Sequence, residues 1–279
     1  MKTLLILVLF LPLSVSAQAA KSCCSTSSTE QFVMLASDEK FKATHEEPAP
    51  FNFVPQRGKF VTFKTSDGKD GRAFEVNAPS ETNKYLFVIH EWWGLNDYIQ
   101  QEGEKLQKDL GNVNVLALDL YDSKVATTRE EAAKYVREVK EERIRAIIKG
   151  VLDYVGPKAQ IGTIGWCFGG GWSLQTALMG GKRVSACVVY YGMPETDVEK
   201  LKTLNAPVLG IFGEQDKGIT PAKVKEFEAA MTKVHKKLTV KMYDADHAFA
   251  NPSNPKHDKA ASEDAYKRTV EFMQKNLLK

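Results

Sequence analysis

Short apolar runs alternate with amphipathic stretches along most of this chain. Tyr85–His90, Val113–Leu118, Gln160–Ile164, Ala186–Tyr191, Val208–Phe212 and Leu238–Tyr243 have strand length and are largely apolar. Runs of that kind fit strands buried on both faces. Between them lie segments with helical periodicity: Ile99–Leu110, Glu130–Tyr154, Trp172–Met179, Pro221–Val234 and Ser262–Leu277. The polar Glu141-Glu142-Arg143 marks a joint within the second of these. Ahead of them, Phe60–Phe63 and Ala73–Val76 flank an Asp67-Gly68 turn, which predicts a β-hairpin. Together the pattern predicts an α/β chain: a three-layer αβα arrangement with a mostly parallel central sheet, an N-terminal β-hairpin and right-handed crossovers.

The first part of the chain does not follow this alternation. Residues 1–19 read as a signal peptide: Lys2, the apolar run Leu4–Leu13, then Val15-Ser16-Ala17 and Ala17-Gln18-Ala19 as acceptable cleavage sites. The expected location is therefore exported, periplasmic or secreted, with no membrane span once the signal is removed. Residues 20–57 read as an extended leader, rich in Ser and Thr at first and resistant to helix at Glu46-Glu47-Pro48-Ala49-Pro50. Within it, Met34–Ala36 and Phe51–Val54 can dock on a domain surface. Cys23 and Cys24 follow the signal. Ala20-Lys21-Ser22 fits a lipoprotein site at Cys23 poorly because of its lysine, so pairing with another molecule or a vicinal disulfide are the alternatives. Residues 58–279 form the compact domain.

Composition narrows the function. A chain of 279 residues buries one sizeable core, and a formal net charge of +3 without a long basic run gives no sign of nucleic-acid binding. Charged stretches such as Arg129–Arg145 read as solvated helix faces. No His or Cys pair has metal-ligand spacing, so no metal is expected. No phosphate-binding glycine loop is present either: Gly165–Gly171 lacks the Lys-Ser/Thr ending, and no cofactor is expected. His235 and His257 lie in polar surroundings, and His45 lies in the leader. Cys187, in an apolar strand, reads as a buried spectator. A monomer is favoured.

The chemistry concentrates at Gly165-Trp166-Cys167-Phe168-Gly169-Gly170, between a strand and a helix. A strand, a sharp turn and a helix place a nucleophile at the C-terminal edge of a sheet, and small flanking residues let the backbone turn. The helix N-terminus behind the sulfur favours the thiolate, the reactive form. This is the nucleophile-elbow pattern of α/β-hydrolases with Cys in the place of Ser. A thiol needs a base and the base an orienting acid. Asp216 follows one strand and His247 the next, in the order nucleophile, acid, histidine that this fold uses. Glu214, Asp244 and Asp246 are the rival acids. The strand ending at His90 leads into Glu91-Trp92-Trp93-Gly94, where the backbone N–H of Trp92 would join that of Phe168 as an oxyanion hole. Trp92 and Trp93 read there either as pocket walls or as core aromatics.

With these pieces the chain resembles the dienelactone hydrolase (carboxymethylenebutenolidase) family from about Gly58 to its end. The marks are Gly-x-Cys-x-Gly-Gly at 165–170, His-Glu-x-x-Gly at 90–94, Asp119-Leu120-Tyr121, the turn at 213–216 and His247-Ala248-Phe249. The resemblance implies a Cys167–Asp216–His247 triad, with Glu91 touching the resting thiol and taking its proton as substrate binds. It also implies a pocket containing Trp93, Tyr121, Phe249 and Asn251. One position departs: the family's carboxylate-binding Arg, four residues after the histidine, is Asn251 here, and Arg129 is the possible match to a second family Arg. That departure argues against a carboxylate-bearing dienelactone. The expected activity is cysteine-dependent hydrolysis of small esters or lactones through an acyl-enzyme. The alternatives are an exported non-catalytic binding protein on the same fold, or a thioesterase or peptidase using the same triad.

Overall fold

The computed structural model describes residues 27–279. The expected signal peptide, Cys23 and Cys24 lie outside the described residues. One eight-stranded sheet organises the chain: β1 (Lys59–Lys64), β2 (Asp70–Val76), β3 (Lys84–Ile89), β4 (Asn114–Asp119), β5 (Gln160–Trp166), β6 (Val184–Tyr190), β7 (Val208–Gly213) and β8 (Leu238–Tyr243). Their order is β1-β2-β4-β3-β5-β6-β7-β8. The hairpin β1–β2 and the β2–β4 pair are antiparallel, and all later pairs are parallel. This is the mostly parallel sheet with an N-terminal hairpin expected from the apolar runs, and it is the α/β-hydrolase fold implied by the elbow motif.

Two helix layers cover the sheet. The helices that follow the strands are α3 (Asp97–Leu110), α4 (Arg129–Glu138), α5 (Glu141–Tyr154), α6 (Phe168–Gly180), α7 (Val198–Lys202), α8 (Pro221–Lys233) and α9 (Lys259–Asn276). Neighbouring residues of β5 report the two faces. A Cβ on Gly162 would lie 2.9 Å from Leu277 and 3.0 Å from Met273 of α9, whereas the Thr163 hydroxyl donates to Ser173 O of α6 at 3.1 Å. Successive strand residues point to opposite faces, so α9 and α6 sandwich the sheet.

Two details differ from the sequence reading. The joint between α4 and α5 falls at Val139 and Lys140, and Glu141–Arg143 form the first turn of α5. Arg143 is also no solvated residue. It is buried and pairs with Asp122 at 2.6 Å and Asp67 at 3.0 Å, clamping the hairpin turn to the loop after β4.

The leader is not extended throughout. It forms α1 (Ser28–Ala36) and α2 (Glu39–Ala43). Ser27 and Glu30 make a reciprocal capping box on α1, and Asp38 caps α2 through the amides of Lys40 and Phe41. Beyond them the chain runs along α3. Phe53 N–H donates to Asp97, and the amides of Gln56, Arg57 and Gly58 all donate to one Glu104 oxygen. Of the segments expected to dock, Met34 and Val54 stay exposed; the buried anchors are Phe32, Ala36 and Phe41.

Candidate active site

Cys167 lies between the last residue of β5 and the first of α6, with φ 55° and ψ −117°. A side-chain-bearing residue in that region stores strain of about 1–3 kcal/mol, which surrounding structure must hold. Here the Cys167 N–H donates to Tyr190 O at 3.0 Å, and its carbonyl accepts from Gly170 N–H at 3.0 Å. Glycine is required at two neighbours. A Cβ on Gly165 would lie 2.1 Å from Gly169 O, and one on Gly169 would lie 2.3 Å from both Ile89 O and His90 O. The first turn of α6 therefore rests on the end of β3, which brings the sulfur beside the 90–94 turn.

β7 and β8 are parallel neighbours, so the loops after them share an edge. Gln215 N–H donates to Ala245 O at 3.0 Å, joining the two loops. There His247 Nδ1 meets Asp216 Oδ2 at 2.6 Å, both side chains buried. The other Asp216 oxygen accepts from the amides of Gly218 and Ile219, each at 2.8 Å. Burial opposes the charge on Asp216, but His247 and these amides outweigh it and hold the carboxyl below its usual range. The rival acids stand elsewhere: Glu214 and Asp244 are exposed, and Asp246 accepts from the backbone N–H of His247. Burial also opposes an imidazolium at His247, yet Asp216 and the Cys167 thiolate charge raise its pKa well above the ordinary range. For Cys167, burial pushes the thiol up, while His247 and the Phe168 amide work the other way. As the first amide of α6, Phe168 N–H has no acceptor within the helix.

The 90–94 turn holds the remaining expected residues. His90 is a structural clamp: its Nδ1 faces Glu91 O at 2.6 Å, and its Nε2 accepts from Leu120 N–H at 3.1 Å. Asp119 accepts from the amides of Tyr121 and Ser123 and so shapes the next turn. Glu91 is buried and accepts from Tyr191 Oη at 3.3 Å and Asn251 Nδ2 at 2.5 Å. Its hydrogen bonds among the described residues go to these two and not to the thiol. Desolvation raises its pKa to about 7, with His247, Tyr191 and Asn251 opposing the rise. Trp92 and Trp93 are both buried. A cavity of about 520 Å³ adjoins this turn, lined by Glu91, Trp93, Trp166 and Asn251 among others. Tyr121 and Phe249 do not line it. Tyr121 packs on His90 and Phe168, and Phe249 on Tyr191 and Tyr243.

His45, to which the sequence assigns no role, is the residue that sequence reasoning missed. It comes 122 positions before Cys167, yet its Nε2 lies 3.7 Å from the sulfur. Its ring packs on Trp92 at 4.4 Å and on His247 at 4.9 Å between centroids. Phe41 covers His247, and Phe32 covers Phe168. Burial, then the like charge of His247, lowers the His45 pKa to about 3, so the ring is neutral. Beneath this cover Cys167 has no exposed surface. His45 follows the end of α2, and its sequence neighbourhood carries no signal of this contact, whose partner lies far along the chain.

Residues 72–277 match the model of the dienelactone hydrolase family. The chain belongs to that family, and with it to the hydrolases of esters and lactones. Similar proteins include a carboxymethylenebutenolidase-like protein of Saccharolobus solfataricus, 26% identical over 76% of this chain and 97% of the relative. Protein usf of Aquifex pyrophilus is 28% identical over 79% of this chain and 99% of its own. Among solved structures, dienelactone hydrolase from Anabaena variabilis superposes with a TM-score of 0.57 at 20% identity, covering 79% of this chain and 98% of that one. A dienelactone hydrolase-like promiscuous phosphotriesterase from metagenomic libraries reaches 0.66 at 20% identity, over 79% and 99%. At those identities the structural likeness concerns the fold.

Proposed function

We propose that this family member is an exported, cysteine-dependent hydrolase of small esters or lactones, working through Cys167, His247 and Asp216. One observation carries the reading. A cysteine at positive φ heads a buried helix, and a histidine whose Nδ1 is held 2.6 Å from a buried carboxylate brings a ring nitrogen within 4.8 Å of the sulfur. In this mechanism Asp216 fixes the His247 tautomer, leaving Nε2 to take the thiol proton. The thiolate attacks the carbonyl, and the backbone amides of Phe168 and Trp92 stabilise the oxyanion. His247 returns the proton to the leaving alkoxide and then activates water to cleave the acyl-enzyme. Glu91 joins the cavity to the nucleophile, since it lines the one and bears electrostatically on the other. Asn251 engages Glu91, so the position offers no cation to a substrate carboxylate. A neutral ester or lactone fits better than a carboxylate-bearing dienelactone. Because the sulfur is sealed, substrate reaches it only when the leader around His45 shifts.

Cys167→Ala tests the reading. Turnover of an activated short-chain ester is expected to fall by at least about 10³-fold, since removing a nucleophile abolishes all but binding and oxyanion effects. Circular dichroism should stay unchanged. Full activity in this variant would end the proposal.

A further inference from the structure

The two imidazoles that face Cys167 are prepared in the same way. His247 Nδ1 is engaged by Asp216 Oδ2 at 2.6 Å and His45 Nδ1 by the backbone carbonyl of Phe41 at 3.0 Å. Each ring therefore has its Nδ1–H engaged by an outer acceptor, which leaves Nε2 as the nitrogen that can bind a metal, in place of any proton it carries. Of the two, His247 Nε2 has no hydrogen-bond partner among the described residues. One donor atom from each of His45, Cys167 and His247 lies within 4.8 Å of the other two, and all three side chains are buried.

That is the donor set of a soft metal centre. Imidazole and thiolate select thiophilic ions, and metal-binding histidines characteristically donate their second N–H to a carboxylate or a backbone carbonyl. Here both kinds of outer partner are in place. Metal–sulfur and metal–nitrogen bonds of about 2.3 and 2.0 Å put neighbouring donors roughly 3.3–3.6 Å apart, so the site needs to contract by about 1.5 Å at most. Phe32, Phe41, Trp92 and Phe168 surround it with aromatic rings. Such a shell excludes water and suits a cluster of low net charge.

We propose that His45, Cys167 and His247 form a three-donor binding site for a thiophilic closed-shell cation, Zn(II) or Cu(I), closed by the leader over the nucleophile. On loading, the Cys167 S–H bond breaks, a metal–sulfur bond forms, and the proton leaves to the buffer; no electron is transferred. Sulfur and His247 Nε2 are then both occupied, so the loaded protein is a silent form of the hydrolase. The absence of metal-ligand spacing in the sequence is no obstacle, because the three donors come from positions 45, 167 and 247.

The test uses the chain lacking only residues 1–19, with Cys23→Ser and Cys24→Ser to remove the other reactive thiols, stripped by a chelator. It is titrated with Co²⁺ as a spectroscopic probe, with Zn²⁺, and with Cu⁺ in the absence of oxygen. One Co²⁺ per chain is expected, with a thiolate-to-cobalt charge-transfer band that Zn²⁺ displaces. Cys167→Ala should abolish the band. His45→Ala should weaken binding by at least about 10-fold, and Asp216→Ala by about 10–100-fold through the outer partner. His45→Cys should restore binding with a stronger band, which separates a lost ligand from a detached leader. Tighter retention of Cu⁺ or of Zn²⁺ against a competing chelator assigns the ion, and either supports the site. No band at any Co²⁺ concentration, or binding unchanged by His45→Ala, would overturn it. Ester turnover of the stripped protein is read separately. The metal site can therefore fail while the hydrolase stands, and the reverse.

Discussion

The leader and the hydrolase domain meet at one sulfur but are held by different means. On the domain side, His247 and Asp216 stand on loops of adjacent parallel strands and are fixed by a 2.6 Å pair and two backbone amides. On the leader side, His45 follows a five-residue helix and is tied down by one backbone carbonyl and by aromatic contacts. Helices of nine and five residues have almost no stability of their own, so the leader folds only by borrowing the domain's surface. The difference teaches a division of labour. The domain holds the proposed triad through fixed polar contacts, and the leader covers the sulfur through contacts that can be lost locally.

The largest effect that could break this division lies on the domain side. Asp216→Asn keeps an oxygen for the Gly218 and Ile219 amides but reverses the tautomer preference of His247. Turnover of an activated ester is expected to fall by about 10⁴-fold, the size of the effect when a triad loses its orienting carboxylate. Alkylation of Cys167 should stay slow, because the leader remains docked. A turnover loss below 10-fold would mean that some other acid orients the imidazole.

A smaller effect is expected from the leader. Phe41 is buried against Phe32, Trp92, His45 and His247. Phe41→Ala removes a buried aromatic worth about 3 kcal/mol or more. The loss falls on leader docking, so the open population rises by about 100-fold. Iodoacetamide labelling of Cys167, followed by mass spectrometry in a chain with Cys23 and Cys24 replaced by Ser, should accelerate by that factor. The thermal midpoint of the domain should hardly move. Unfolding of the whole molecule in one step with a lowered midpoint would show that the leader belongs to the domain's cooperative unit.

The same contrast explains what the amino-acid sequence alone makes legible. Strand positions, the elbow and the pairing of Asp216 with His247 follow from local rules: buried parallel strands are apolar throughout, and the fold's active groups sit at strand ends. The α4–α5 joint lies just before Glu141 because Glu141 and Glu142 suit a helix N-terminus as well as a break, and the burial of Arg143 is not legible locally because its partners, Asp67 and Asp122, are remote in the chain. The leader helices escaped notice because their apolar residues make sense only against the domain. His45 escaped because nothing near it in the sequence announces a sulfur 122 positions away.

Glu91 provides the last and smallest of these tests, and it belongs wholly to the domain, since its partners are Tyr191 and Asn251. Its pKa stands at about 7 in the folded protein against 4.5 for the free side chain, with burial as the main cause. Between those values the folded state binds a proton that the unfolded state has released. The stabilisation is therefore complete below pH 4.5 and is lost as the pH rises to about 7, a total of about 3 kcal/mol at the most. Glu91→Gln retains an oxygen for Asn251 and Tyr191 but cannot ionise. Relative to the natural protein, its thermal midpoint at pH 8 should rise by several degrees, at about 2–4 °C per kcal/mol for a domain of this size. At pH 4.5 the two midpoints should coincide. Cys167 labelling by a thiol reagent at fixed pH should be left within a factor of about three, since no leader contact is touched. An equal gain at both pH values would mean that packing rather than charge separates Gln from Glu. A strong increase in labelling would mean that the leader and the Glu91 cavity move together, which would erase the boundary drawn between the two regions.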